Sequence, residues 1–323
     1  YNGVWSLSTQ YQYAADWASD NISPATAAAT TAARGLFALA RPGGGAASNR
    51  IDQVNTVSEG NATDFGDLSI ARLNLAALAS ATRGVFGGGY ADYNANADRI
   101  DYVSLASTGN AATFGNLTVA REGVRGLSSA TRGVFGGGYV SGNVNTMDYI
   151  TIANTGNATD FGDLTAARQI SSGAASPTRG LFAGGSSTTN IVDYITIASA
   201  GNASDFGDLI AAAQAPSGAS SSTRALFSGG YTDAFTAAID YFTIASTGNG
   251  TDFGDLTLAR YLTGSCSNSI RALTAGGQGA PGFSNIIDFV VIATTGNASD
   301  FGDLTATAHT GSGCCGSHGG IAA

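Results

Sequence analysis

One arginine recurs along the chain with a spacing that limits what it can fold into. It stands at Arg34, Arg83, Arg132, Arg179, Arg224 and Arg271, at intervals of 49, 49, 47, 45 and 47 residues, with small polar residues before it and apolar ones after. His318 follows Arg271 by a further 47 residues, in the related context Gly-Ser-His-Gly-Gly. Self-similarity at a fixed period of this length marks an array of equivalent supersecondary units, each too small to bury its own apolar face.

The internal order of each unit is constant. In residues 132–178 a short apolar run ends in Gly-Gly, and an alternating segment, Met147-Asp-Tyr-Ile-Thr-Ile152, follows. A turn at Thr155-Gly-Asn157 leads to Ala158-Thr-Asp-Phe-Gly-Asp-Leu164, and a run of Ser, Gly and Ala closes the unit. Short β-rich runs divided by Gly/Asn turns predict antiparallel strands. Four strands per unit predict an all-β chain, a seven-bladed β-propeller. The small-residue run, for example SSGAASPT at 171–178, fits an innermost strand near a narrow axis. Phe135, Tyr149 and Phe161 fit the wedges between units.

A single domain over 1–323 is expected, with blades at about 24–75, 76–124, 125–170, 171–215, 216–261 and 262–307. The seventh blade is expected to be composite, 308–323 plus 1–23, with Val4-Trp-Ser-Leu7 and Ala15-Asp-Trp17-Ala as its outer strands. Dividing 323 residues by seven gives about 46, which agrees with the period.

Composition narrows the function. Gly supplies 46 residues, only 11% are charged, all 14 basic residues are Arg, and the net charge is −9. Without a basic cluster a nucleic-acid partner is not expected. No stretch reaches the roughly 18–20 apolar residues of a membrane span, so no membrane insertion is expected. No signal-peptide pattern is visible.

The pairs Gly88-Gly89, Gly137-Gly138, Gly184-Gly185, Gly229-Gly230 and Gly276-Gly277 resemble the kelch diglycine, followed by an aromatic-bearing third strand. The first unit departs from it, with Leu39-Ala40 at the pair. The wording TRGVFGGGY…DYITIASTGNATDFGDLT also resembles repeats of tail-fibre-like and other virion structural proteins of aquatic phages. That likeness implies a structural or attachment role at a virion surface or outside the cell, and no activity.

The arginines recur in phase with Asp52, Asp101, Asp148, Asp193, Asp240 and Asp288 of Ile-Asp-Tyr, so an Arg–Asp pair within or between blades is expected. Asn61, Asn157, Asn202, Asn249 and Asn297 match the glycosylation triplet. Gly-Asn also simply makes a turn, and that reading is preferred. The Asp-Phe-Gly-Asp carboxylates (Asp64/Asp67, Asp160/Asp163, Asp205/Asp208, Asp252/Asp255, Asp300/Asp303) are the candidate calcium ligands, but their spacing matches no known calcium loop and no cofactor is expected. Cys314, Cys315 and His318 are poorly spaced for zinc.

Catalysis needs a unique constellation, whereas nearly every polar residue here is shared by several units, so no enzyme is expected. The loops after Gly-Gly differ from unit to unit and are where recognition belongs. The chain reads as a virion tail appendage or decoration protein. Its expected partners are other structural subunits, itself included, and a host-surface glycan. The alternative is a secreted or cell-surface propeller that forms filaments or acts as a lectin-like adhesin.

Overall fold

A computed structural model describes residues 34–91, 95–280, 282–309 and 312–321. The described chain is all β: six four-stranded antiparallel sheets and two small three-stranded ones. Sheets two to six each use four consecutive main strands. Sheet three, Arg125–Ser128, Arg132–Gly136, Thr146–Thr151 and Thr159–Asp163 from inside to outside, is typical. Its counterparts begin at Ala76 (sheet two), Ser172 (four), Ser217 (five) and Gly264 (six).

Sheet one is assembled differently. Its outer strands are Arg34–Ala38, Arg50–Asn55 and Thr63–Asp67, but its innermost strand is Ser312–Cys315. The C-terminal strand runs antiparallel to Arg34–Ala38, with Cys315 opposite Gly35 and Ser312 opposite Ala38. This corrects the expected composite seventh blade of 308–323 plus 1–23. The C-terminal strand instead takes the innermost place expected for residues 24–33. Those residues, and the strands expected at 4–7 and 15–18, lie outside the described residues. The reason is geometric. Both terminal small-residue runs suit the place beside Arg34–Ala38, and after sheet six the chain has come once round, bringing the C-terminal run there.

The six innermost strands touch one another in cyclic order, and Ser312–Cys315 lies between those of sheets six and two. The outer strands repeat the cycle. Gly109 N–H donates to Phe65 O at 2.9 Å, Gly156 to Phe114 at 2.9 Å, and so on until Gly60 donates to Phe301 at 2.9 Å. Gly162 shows why Asp-Phe-Gly is needed there: its φ is +131°, and a Cβ would sit 2.6 Å from the Gly201 backbone of the next sheet. The sheets close by packing face to face, not by one continuous ladder.

The core follows from this arrangement. Apolar side chains form six separate clusters, one in each wedge. Phe86, Phe135 and Phe182 are fully buried there. Small residues line the axis because nothing larger fits: a Cβ on Gly126 would lie 2.6 Å from Ala77 O.

Candidate functional site

The expected Arg–Asp pairs do not form. Arg83, Arg132, Arg179, Arg224 and Arg271 stack on Tyr102, Tyr149, Tyr194, Tyr241 and Phe289, with guanidinium-to-ring distances of 4.4–4.7 Å. Arg34 lies farther, 5.6 Å from the Phe65 ring. Each also reaches a carbonyl of the next sheet, as Arg132 does to Ile197 O at 3.0 Å and Ala198 O at 2.7 Å. Register explains the correction. Arg132 lies opposite Thr151, while Asp148 lies opposite Phe135, three residues along the strand and roughly 10 Å away.

Four of the six aspartates are partnered instead by a second set of arginines that the repeat spacing alone does not single out. Arg121 Nη1 meets Asp148 at 2.8 Å, Arg72 meets Asp101 at 2.7 Å, Arg168 meets Asp193 at 2.9 Å and Arg260 meets Asp288 at 2.8 Å, all with side chains at most 1% exposed. These arginines lie on the segment joining one sheet to the next, in the run Leu-Ser/Thr-x-x-Arg. The hydroxyl of that run caps the same carboxylate, as Thr118 Oγ1 does to Asp148 at 2.5 Å. The guanidinium fork then reaches the end of the second strand: Arg121 Nε donates to Gly137 O at 2.8 Å, and Arg168 Nη2 to Phe182 O at 3.1 Å. Burial holds the Arg72 guanidinium down at about 10, against the opposing pull of Asp101.

Sheets one and five break the pattern. Their equivalent positions are Ala308 and Ala213. In sheet one Arg50 Nε lies 3.2 Å from Asp52, and Thr305 donates to it from both N and Oγ1. Burial raises the Asp52 pKa, opposed by the Thr305 bonds and by Arg50. In sheet five the counterpart of Arg50 is Ala238 and that of Thr305 is Ile210. Asp240, 7% exposed, therefore receives the Ile210 N–H at 2.9 Å without the hydroxyl bond that its counterparts gain from Ser or Thr. Every arginine of the chain lies among the described residues, and none of them forms an ion pair with Asp240 there. Burial raises the Asp240 pKa, and the charge of Asp252 adds to it. A cavity of about 220 Å³ occupies this place, bounded by Leu209, Ala213, Pro216, Phe227, Gly229 and Asp240.

The asparagines of Gly-Asn act as clasps between sheets. Asn157 Oδ1 accepts the Asn116 N–H at 3.1 Å, Asn202 accepts Asp163 N–H at 3.0 Å, and Asn61 accepts Asp303 N–H at 3.0 Å across the closure. Asn249 and Asn297 do the same for Asp208 and Asp255, and so does Asn110, which lacks the glycosylation triplet. Among the described residues no three His, Cys, Asp or Glu side chains are grouped to hold a metal ion. Cys266, Cys314 and Cys315 are buried, and burial pushes the pKa of each thiol up.

The two mouths of the axis differ. At one, Arg125 is held at about 10 by burial and donates to Val124 O at 2.9 Å. At the other, His318 Nε2 lies 3.0 Å from Ala79 O and 3.1 Å from Ser128 Oγ, while Nδ1 accepts the Gly320 N–H at 3.0 Å. This network assigns the neutral Nε2–H tautomer, because a proton on Nδ1 would face the Gly320 donor. Burial lowers the His318 pKa. Burial, with Arg41 nearby, lowers that of His309 to about 4. Below about pH 6.5 the unfolded chain protonates both histidines while the folded chain resists, so their contribution is whole above that pH and is lost as the pH falls towards 4. The raised Asp52 and Asp240 act in the opposite sense closer to pH 4. Thermal melts should show Tm falling between pH 6.5 and 5, with a shallower slope in His318→Gln. A flat Tm across that window would contradict the lowering of the histidine pKa values by burial.

The loops after the second strands lie at the Arg125 end of the axis, where Arg125 pairs with Gly136. Each crosses the segment that bears the Asp-binding arginine or its alanine counterpart, as Tyr231 does between Gln214 and Phe235. Over sheets five, six and one these loops and the segments they cross carry a chain of half-buried rings. Phe235 and Tyr231 are 5.8 Å apart, Tyr231 and Tyr261 5.9 Å, Tyr261 and His309 6.4 Å, and His309 and Phe283 4.5 Å. No family model matches the chain, and no curated protein matches it significantly.

Proposed function

We propose that the chain is a six-bladed, kelch-like β-propeller that serves as a non-catalytic binding scaffold at a virion or other extracellular surface, holding a glycan on its loop face. The cyclic contact of six inner strands supports the propeller reading, each sheet being one blade. The likeness of the repeat wording to virion structural proteins supports the setting. The observation that carries the binding role is the run of rings from Phe235 to Phe283. Most buried polar groups recur from blade to blade and are occupied in fastening blades together. The ring chain belongs to three blades only, and its partly open aromatic surfaces suit the apolar faces of sugars.

Presenting the protein and its Tyr231→Ala/Phe235→Ala variant to an array of immobilised bacterial surface glycans tests this reading. The expected result is a defined set of glycans retained by the parent, with at least tenfold weaker retention by the variant and an unchanged Tm. Retention of no glycan, retention indifferent to the two substitutions, or turnover of a polysaccharide would each overturn it.

A further inference from the structure

We propose that sheet five carries a binding site for an alkylguanidinium ligand, which enters the place that arginine side chains of the chain itself fill in sheets two, three, four and six. This site is separate from the ring chain and does not depend on the glycan reading.

The other sheets show what a guanidinium meets there. Arg121 and its counterparts reach the Asp of Ile-Asp-Tyr and the carbonyls that end the second strand. In sheet five the same register sets Asp240 opposite Phe227, and both line the cavity together with Gly229. Ala213 and Ala238 lack the side chains that would fill it or neutralise it from within. A second carboxylate, the exposed Asp252, also lines it. Two acids without a cation select a positively charged ligand. Carboxylate and carbonyl acceptors arranged for a planar fork favour guanidinium over a point ammonium charge. Leu209, Pro216 and Phe227 supply apolar wall for a methylene stem. A volume of about 220 Å³ suits a short chain and falls below the roughly 300–1,000 Å³ of pockets for larger molecules. Sheet one also lacks the arginine, at Ala308, but there Arg50 at 3.2 Å already neutralises Asp52.

The ligand is a free alkylguanidinium or an arginine side chain offered by a partner protein, and calorimetry separates the two. Agmatine and the peptide acetyl-Gly-Arg-Gly-amide serve as probes, with butylamine as the ammonium control. Tighter binding of agmatine assigns the free ligand; tighter binding of the peptide assigns the partner arginine. In either case Asp240→Asn should weaken binding at least about tenfold. Ala213→Arg should abolish it while the variant melts at or above the parent temperature. If Ala213→Arg melts lower, Asp240→Asn alone decides. Absence of binding by both guanidinium probes, butylamine binding as well as agmatine, or affinity unaffected by Asp240→Asn would each overturn the proposal.

Discussion

Removing residues 310–323 is expected to abolish the cooperative unfolding transition of the whole chain. Those residues include Ser312–Cys315, which pairs along the full length of Arg34–Ala38 and completes the inner cycle. Cys314 packs in the wedge between sheets one and two and Cys315 in the wedge between sheets six and one, and Ser312 Oγ donates to Leu75 O at 2.7 Å. Their loss uncovers two wedges and a strand edge together, which outweighs the roughly 5–15 kcal/mol that holds a domain folded. Circular dichroism melts and the thiol reactivity of Cys266, buried in the parent, would read the effect. A milder variant, Gly313→Val, sets a Cβ 2.8 Å from Ser265 O and should lower Tm without unfolding the chain. A truncated chain that melts like the parent, with Cys266 still protected, would mean that another strand fills this place.

The second large effect is expected from Arg121→Ala. It strands Asp148, a fully buried carboxylate, with only the Thr118 bonds. Breaking one side of a buried pair costs about 3–5 kcal/mol, although such a pair contributes little over well-packed apolar residues. The double variant Arg121→Met/Asp148→Asn should therefore recover much of the loss, a coupling that a double-mutant cycle measures. Asp240→Asn provides the contrast within the same molecule. It removes a buried carboxylate that has no cation, so it should leave stability unchanged or raise it. A loss below about 1 kcal/mol for Arg121→Ala in denaturant melts would show that water reaches Asp148 after all.

These residues also mark how far the sequence could be read. The alternation in Met147–Ile152 and the small run at 171–178 pointed to an outer and an inner strand, and both lie where that pattern puts them. Periodicity aligns equivalent residues of successive units, but it carries no information on how one sheet sits against the next. Arg132 and Asp148 each recur once per unit yet lie three positions apart along paired strands. The true partner, Arg121, was visible as a recurring Leu-Ser/Thr-x-x-Arg run, overshadowed because only four of the six units keep its arginine. The place of the C-terminal strand was obscured by redundancy: the small-residue run occurs before Arg34 and again before His318, and composition cannot tell which copy pairs with Arg34–Ala38. The cavity beside Asp240 needed both findings at once, the correct partner and its absence.

The pairing of Ser312–Cys315 with Arg34–Ala38 also sets an order of events during synthesis. Sheets two to six can each assemble from a stretch of fewer than 50 residues as it emerges from the ribosome, because their strands are consecutive. Sheet one has to wait for a partner translated nearly the whole chain later. Until then its second strand presents bare backbone to any neighbouring nascent chain, so crowding on polysomes would favour exchange of this one strand between molecules.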